Sequence, residues 1–239
     1  MATVEKNPLA EQFTPASLAR FVQHELRNRA DPAKAPLMAA YMKTDTPFYG
    51  VQKPERETLS RAMHARFIPP SWDAYTDGVQ ALWRLPHREE KYTAIEFAVR
   101  HKQFITPASL SLYEQLIREG GWWDLVDPVA TLLVGRLLLQ HRAEVRPAME
   151  NWVRDDDMWI RRAALLAHLK HKYKTDERQL FDHCLRLAGE KEFFIRKAIG
   201  WVLREYSKSA PDAVAAFLQA HRASLSPLSL REGSKHLAR

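Results

Sequence analysis

Apolar residues recur along this chain with a helical period rather than the alternation of a strand. Thr14-Pro15 reads as an N-cap followed by proline at the first helical position, and Leu18, Phe21, Val22 and Leu26 then fall on one face. Asp31-Pro32 repeats the start signal and predicts a helix reaching about Lys43. Thr106-Pro107, Ala210-Pro211 and Ser226-Pro227 mark further starts, and Gly120-Gly121 predicts a stop, since glycine accepts the left-handed cap conformation. With no convincing alternating strand pair, roughly a dozen helices with short connections are expected, hence an all-α chain. Thr44 to Lys53 is less regular, with aromatics beside turn formers. Either it is a loop that a ligand uses, or Phe48 and Val51 staple it to the core.

The chain also resembles itself. Trp159-Ile160-Arg161-Arg162-Ala163 aligns with Phe194-Ile195-Arg196-Lys197-Ala198 at a shift of 35 residues, and Ser229-Leu230-Arg231-Glu232-Gly233 follows at the same shift again. Trp123 lies 36 residues before Trp159. Each copy begins a helix and a second helix fills the period. That is the signature of a HEAT-like repeat solenoid, a curved superhelix of antiparallel helix pairs that bury their apolar faces only against neighbouring copies. The expected organisation is an N-terminal tail over residues 1–13 and a single HEAT-like repeat domain over 14–239.

Composition narrows the class. Apolar residues at 46% and charged residues at 27% of 239 match an ordinary globular protein and argue against global disorder. A lone Cys184 excludes an internal disulfide and a structural zinc site built on several cysteines; a small buried residue is its expected role. The apolar run Val129–Gly135 ends at Arg136, far short of the ~20 residues a membrane span needs. The N-terminus lacks the apolar core of a secretory signal, so a cytoplasmic location without a membrane partner is expected.

Charge adds a direction. The net charge is +7, and between Trp159 and Lys208 twelve Lys+Arg face six Asp+Glu, so that stretch carries six of the seven excess charges. Arg162 and Lys170, eight apart, fit one broad helical face; Lys197 follows Arg162 by one repeat, with Arg204 seven residues on. A basic strip of this kind suits a phosphate backbone, although a solvated helix face is the plainer reading.

Common catalytic signatures are missing: there is no glycine-rich phosphate loop, no Gly-x-Ser-x-Gly elbow and no His-Glu-x-x-His pair. His168 and His171 have a spacing that can hold a metal on one helix, but without a further ligand set they read as surface histidines beside the strip, and no metal is expected. What remains is Trp122-Trp123-Asp124-Leu125-Val126-Asp127-Pro128. Asp124 is expected to cap a helix here, with Pro128 inside its first turn. Trp123 and Asp127 are four apart and can share a face. They are either a core tryptophan with a helix-dipole aspartate, or a pair acting on a cation through the ring face and the carboxylate. Trp201, four residues after Lys197, is a third aromatic of the same kind or a core residue.

These strings together resemble the AlkD-type alkylpurine DNA glycosylases. Trp122 to Asp127, Trp159 to Lys170, and Glu192 to Tyr206 are similar to that family's motifs, and Tyr41-Met42-Lys43, Phe48 to Pro54 and Pro227 to Glu232 resemble its terminal segments. The likeness runs from about residue 14 to the C-terminus. It implies a HEAT-like monofunctional glycosylase of base excision repair. Such an enzyme hydrolyses the N-glycosidic bond of cationic N3- and N7-alkylated purines, 3-methyladenine and 7-methylguanine among them, and leaves an abasic site. The family's catalytic carboxylate corresponds to Asp127 and its lesion-flanking tryptophans to Trp123 and Trp201. Arg162, Lys170 and Arg204 correspond to backbone contacts, Lys197 keeps the basic repeat position, and Tyr41 and Gln52 correspond to N-terminal contacts near the DNA. The resemblance implies no cofactor and a monomer whose partner is double-stranded DNA containing alkylated purines. The alternative is a non-catalytic HEAT-like module that binds DNA structure or a protein partner.

Overall fold

The computed structural model describes residues 13–237; of the expected tail, residues 1–12 lie outside the described residues. Among the described residues there is no strand, so the chain is all-α as expected. No helix among them is long and apolar enough to cross a membrane. The chain divides into two compact units, Met1–Ile105 and Thr106–Arg239.

The first unit comprises α1 (Pro15–Asn28), α2 (Ala35–Met42), α3 (Lys53–Arg66), α4 (Trp72–Trp83) and α5 (Arg88–Arg100). Thr14 caps α1 by accepting the Ser17 N–H at 3.0 Å, and Leu18, Val22 and Leu26 are fully buried. The helix expected from Asp31-Pro32 starts later. The Asp31 carboxylate accepts the backbone N–H of Ala33 and Lys34 at 3.0 and 3.2 Å, and this local turn delays α2 to Ala35.

The irregular stretch before α3 is tied to the core, which decides between its two readings as far as Phe48, Tyr49 and Val51 are concerned: all three are buried. Glu89 on α5, fully buried, accepts the backbone N–H of Tyr49, Gly50 and Val51 at 3.0, 2.9 and 3.0 Å. Glu90 accepts the Tyr49 hydroxyl at 2.9 Å. Gly50 sits at φ +88°, and a Cβ there would lie 2.1 Å from the Asp31 carbonyl oxygen, so only glycine lets the loop pass.

The second unit contains α6 (Leu110–Gly120), α7 (Trp123–Pro128), a π-helical turn over Val129–Val134, α8 (Gly135–Gln140), α9 (Arg142–Trp152), α10 (Met158–Leu166), α11 (Glu177–Arg186), α12 (Phe193–Tyr206), α13 (Pro211–Ala220) and α14 (Pro227–Gly233). Gly121, left-handed at φ 51°, closes α6 as expected. The repeat copies found in sequence open α7, α10, α12 and α14. α10 packs on α7 and α12, α12 packs on α14, and α9, α11 and α13 fill between them, the arrangement of HEAT-like repeats.

Three local features differ from expectation. Asp124 is not the cap of α7: Trp122 holds that position and Asp124 lies in the first turn, where it complements the helix dipole. Pro128 is not in the first turn but at the far end of α7, where it has no N–H to offer the ladder. The chain widens there into the π-helical turn, and the Thr131 hydroxyl donates to the Asp127 carbonyl at 2.7 Å. His168 and His171 are neither surface residues nor on a helix. α10 ends at Leu166, and both rings are buried in the turns that follow, His171 against the Gly135 carbonyl at 2.7 Å and His168 beside buried His183. Cys184 is buried, as expected, and burial pushes its thiol pKa up.

Burial lowers the pKa of His101 to about 4 and also depresses His168, His171 and His183. The unfolded chain, with histidines near 6.5, then binds more protons than the folded one below that pH, so stability falls as pH drops through 6.5 toward 4. Glu96 and Asp127, raised by burial, act in the opposite sense, but the four histidines outnumber them. Urea unfolding at pH 5.5 is expected to show a stability about 2–4 kcal/mol below that at pH 7.5. Equal stability at the two values would mean the imidazoles are hydrated in the folded protein.

Candidate active site

α7 delivers Asp127 and α10 delivers Arg162, and the two meet as a fork. Arg162 Nε donates to Asp127 Oδ1 and Nη2 to Oδ2, each at 2.8 Å. The third prong, Nη1, donates to the Phe194 carbonyl at the start of α12. The guanidinium also stands 5.7 Å from the Phe194 ring centroid. Trp122, Trp159 and Phe194 form an aromatic cluster with ring centroids 5.0 to 5.8 Å apart. Arg162 is therefore locked from three sides, and its side chain is 4% exposed against 14% for that of Asp127.

Burial pushes the Asp127 carboxyl above the ordinary aspartate value, while Arg162 pulls it back by hydrogen bond and charge. A guanidinium that donates to both oxygens requires the carboxylate form. The product is a mostly covered anion of fixed orientation that still keeps some exposed surface. A carboxylate has about four lone-pair sites, of which Arg162 takes two. What is left can face a developing positive charge or a water molecule. Arg162→Lys is expected to cost about 2–3 kcal/mol in urea unfolding, because an ammonium cannot reproduce the fork and reach Phe194 at once. A cost below about 0.5 kcal/mol would mean the pair does not hold α7 to α10.

The sequence-derived residues fall into groups. Lys197, Trp201 and Arg204 follow Phe194 at helical spacing on α12, and all four are half-buried, so they form one accessible stripe that starts at the Arg162 anchor. Trp123 is half-buried in the first turn of α7. Lys170 is exposed in the turns after α10, so it does not share a helix with Arg162. Arg162 is the residue placed most differently from expectation. It is not on a solvated basic strip: it is buried, and it donates to Asp127 and Phe194. Tyr41 and Gln52 belong to the first unit, where they line an apolar cavity of about 260 Å³ with Leu37, Met38 and Phe48. Sequence reasoning gave no site role to Trp122, Trp159, Phe194 or Glu232.

A family model described as DNA alkylation repair enzyme matches residues 22–237. The chain belongs to the DNA alkylation repair enzyme family. A predicted DNA alkylation repair enzyme from Enterococcus faecalis has a similar structure at 32% identity and a TM-score of 0.79, covering 88% of this chain and 98% of that one. AlkD2 from Streptococcus mutans is similar at 15% identity and a TM-score of 0.60, over 85% of this chain and 99% of that one. The smu.31 protein of Streptococcus mutans UA159 gives 14% and 0.59, over 77% and 92%. No curated protein sequence matches. The family membership makes this chain an enzyme of alkylated-DNA repair, with DNA as its partner.

Proposed function

We propose that this member of the family is a monofunctional DNA glycosylase acting on cationic N3- and N7-alkylated purines, and that Asp127 is its catalytic residue. The observation that carries this is the forked Asp127–Arg162 pair: a carboxylate kept ionised and aimed, mostly covered yet not sealed from solvent. An alkylated purine already carries the positive charge that makes it a good leaving group, so no general acid is needed. As the C1′–N bond breaks, its electron pair neutralises the purine and positive charge moves to the sugar. Asp127 stabilises that oxocarbenium ion and orients the water whose oxygen adds to C1′, the water's extra proton passing to solvent. Trp123 and Trp201 supply ring faces for a cationic partner, and Lys170, Lys197 and Arg204 supply charge for the phosphates.

The test is incubation of the protein with methylated duplex DNA, with the products identified by mass. Free 7-methylguanine or 3-methyladenine is expected, on a strand that stays whole until alkali cuts the abasic site. Binding without any base release would favour the non-catalytic module. Restoration of the normal base in place would mean a direct-reversal enzyme.

A further inference from the structure

The repeat position that holds Asp127 and Arg162 recurs: Lys197 stands 35 residues after Arg162, and Glu232 stands 35 after Lys197. Both outer steps are closed by an ion pair, Arg162 with Asp127 and Lys197 with Glu232. At the second pair the carboxylate is the deeply buried partner, and it gathers three cations. Glu232, 4% exposed, takes the Lys197 ammonium at 2.9 Å and the Lys235 ammonium at 2.8 Å on Oε1, and Arg204 on Oε2. Gly200 makes this possible, since a Cβ there would lie 2.4 Å from the Glu232 Cβ, and so α14 lies directly against α12.

The side chains of Lys197, Lys235 and Arg204 remain 37%, 47% and 22% exposed. A lysine has three donors and an arginine five, so these contacts with Glu232 do not use up the donor capacity of any of the three. Lys235 and Lys197 hold the Glu232 carboxyl down at about 2, which keeps the cluster's charge constant through any working pH. Two of its cations, Lys197 and Arg204, lie on the α12 stripe with Phe194 and Trp201.

We propose that Glu232 is a positioning residue that gathers Lys197, Arg204 and Lys235 into one grip for the DNA phosphodiester backbone, which adds Lys235 to the DNA-contacting residues. The inference deepens the glycosylase reading and depends on it for the partner. A buried carboxylate at this place spends one charge to fix three long side chains that would otherwise each lose freedom on binding, at about 0.5–1.5 kcal/mol apiece.

The test is binding to an undamaged duplex across a salt series, with thermal midpoints recorded for each variant. Lys235→Gln removes an exposed cation and is expected to lower the slope of log affinity against log salt by about 0.9, whereas Lys235→Arg keeps it. Glu232→Gln is expected to bind roughly threefold more weakly although it deletes a negative charge, because the cations lose their common anchor. Tighter binding by Glu232→Gln, or an unchanged slope in Lys235→Gln while the wild type binds, overturns this proposal alone. A wild type that binds no duplex at low salt overturns the glycosylase reading and this proposal with it.

Discussion

Glu89→Ala is expected to lower the unfolding free energy by about 3–5 kcal/mol, a large share of what an ordinary domain has. The carboxylate accepts three consecutive backbone N–H groups, from Tyr49 to Val51, with no exposed surface of its own. Alanine leaves all three donors buried without a partner, at about 1–3 kcal/mol each before relaxation. The loop cannot escape easily. Gly50 is pressed on the Asp31 carbonyl, and the Tyr49 carbonyl accepts the Asp31 N–H at 2.9 Å. Urea unfolding should show a lower midpoint with an unchanged slope, and a loss below about 1 kcal/mol would mean that water takes over the carboxylate's place. Because this loop runs directly into Gln52 and α3, the same substitution is also expected to disturb the Tyr41–Gln52 cavity.

Much of the fold was legible in the chain because its signals are local. Thr14-Pro15, Gly120-Gly121, Ala210-Pro211 and Ser226-Pro227 act through φ and through one missing or capped N–H, and each stands at the helix end it predicts. The failures are places where another group competes for the same backbone. Asp31 built its own turn, and Pro128 took a donor away from a helix already begun at Trp123. Burial was harder to read. His168 and His171 look like members of a basic strip, yet the chain leaves the helical path after Leu166 and turns them inward. The site was half legible. The family motif pointed at Asp127 and the repeat at Arg162, but that they pair with each other follows only from stacking α10 on α7. The sequence did contain a usable sign: the column Asp127, Arg162, Lys197, Glu232 changes charge twice at a fixed spacing, and neighbours of opposite sign in stacked repeats are placed to touch.

Asp127→Asn keeps the shape of the side chain and one oxygen for Arg162 but removes the negative charge. Preorganised charge facing a transition state typically contributes 10²- to 10³-fold, so base release should fall by about that much or more. Binding should change little, since Asp127 is mostly covered and its charge is already answered by Arg162. The decisive measurement is therefore single-turnover release of 7-methylguanine from one methylated duplex by wild type and Asp127→Asn, at enzyme concentrations that saturate both. The wild type is expected to release the base, and the variant to lose at least about 10²-fold at equal occupancy. Equal rates would contradict the catalytic role of Asp127, and so would a loss that vanishes once occupancy is matched.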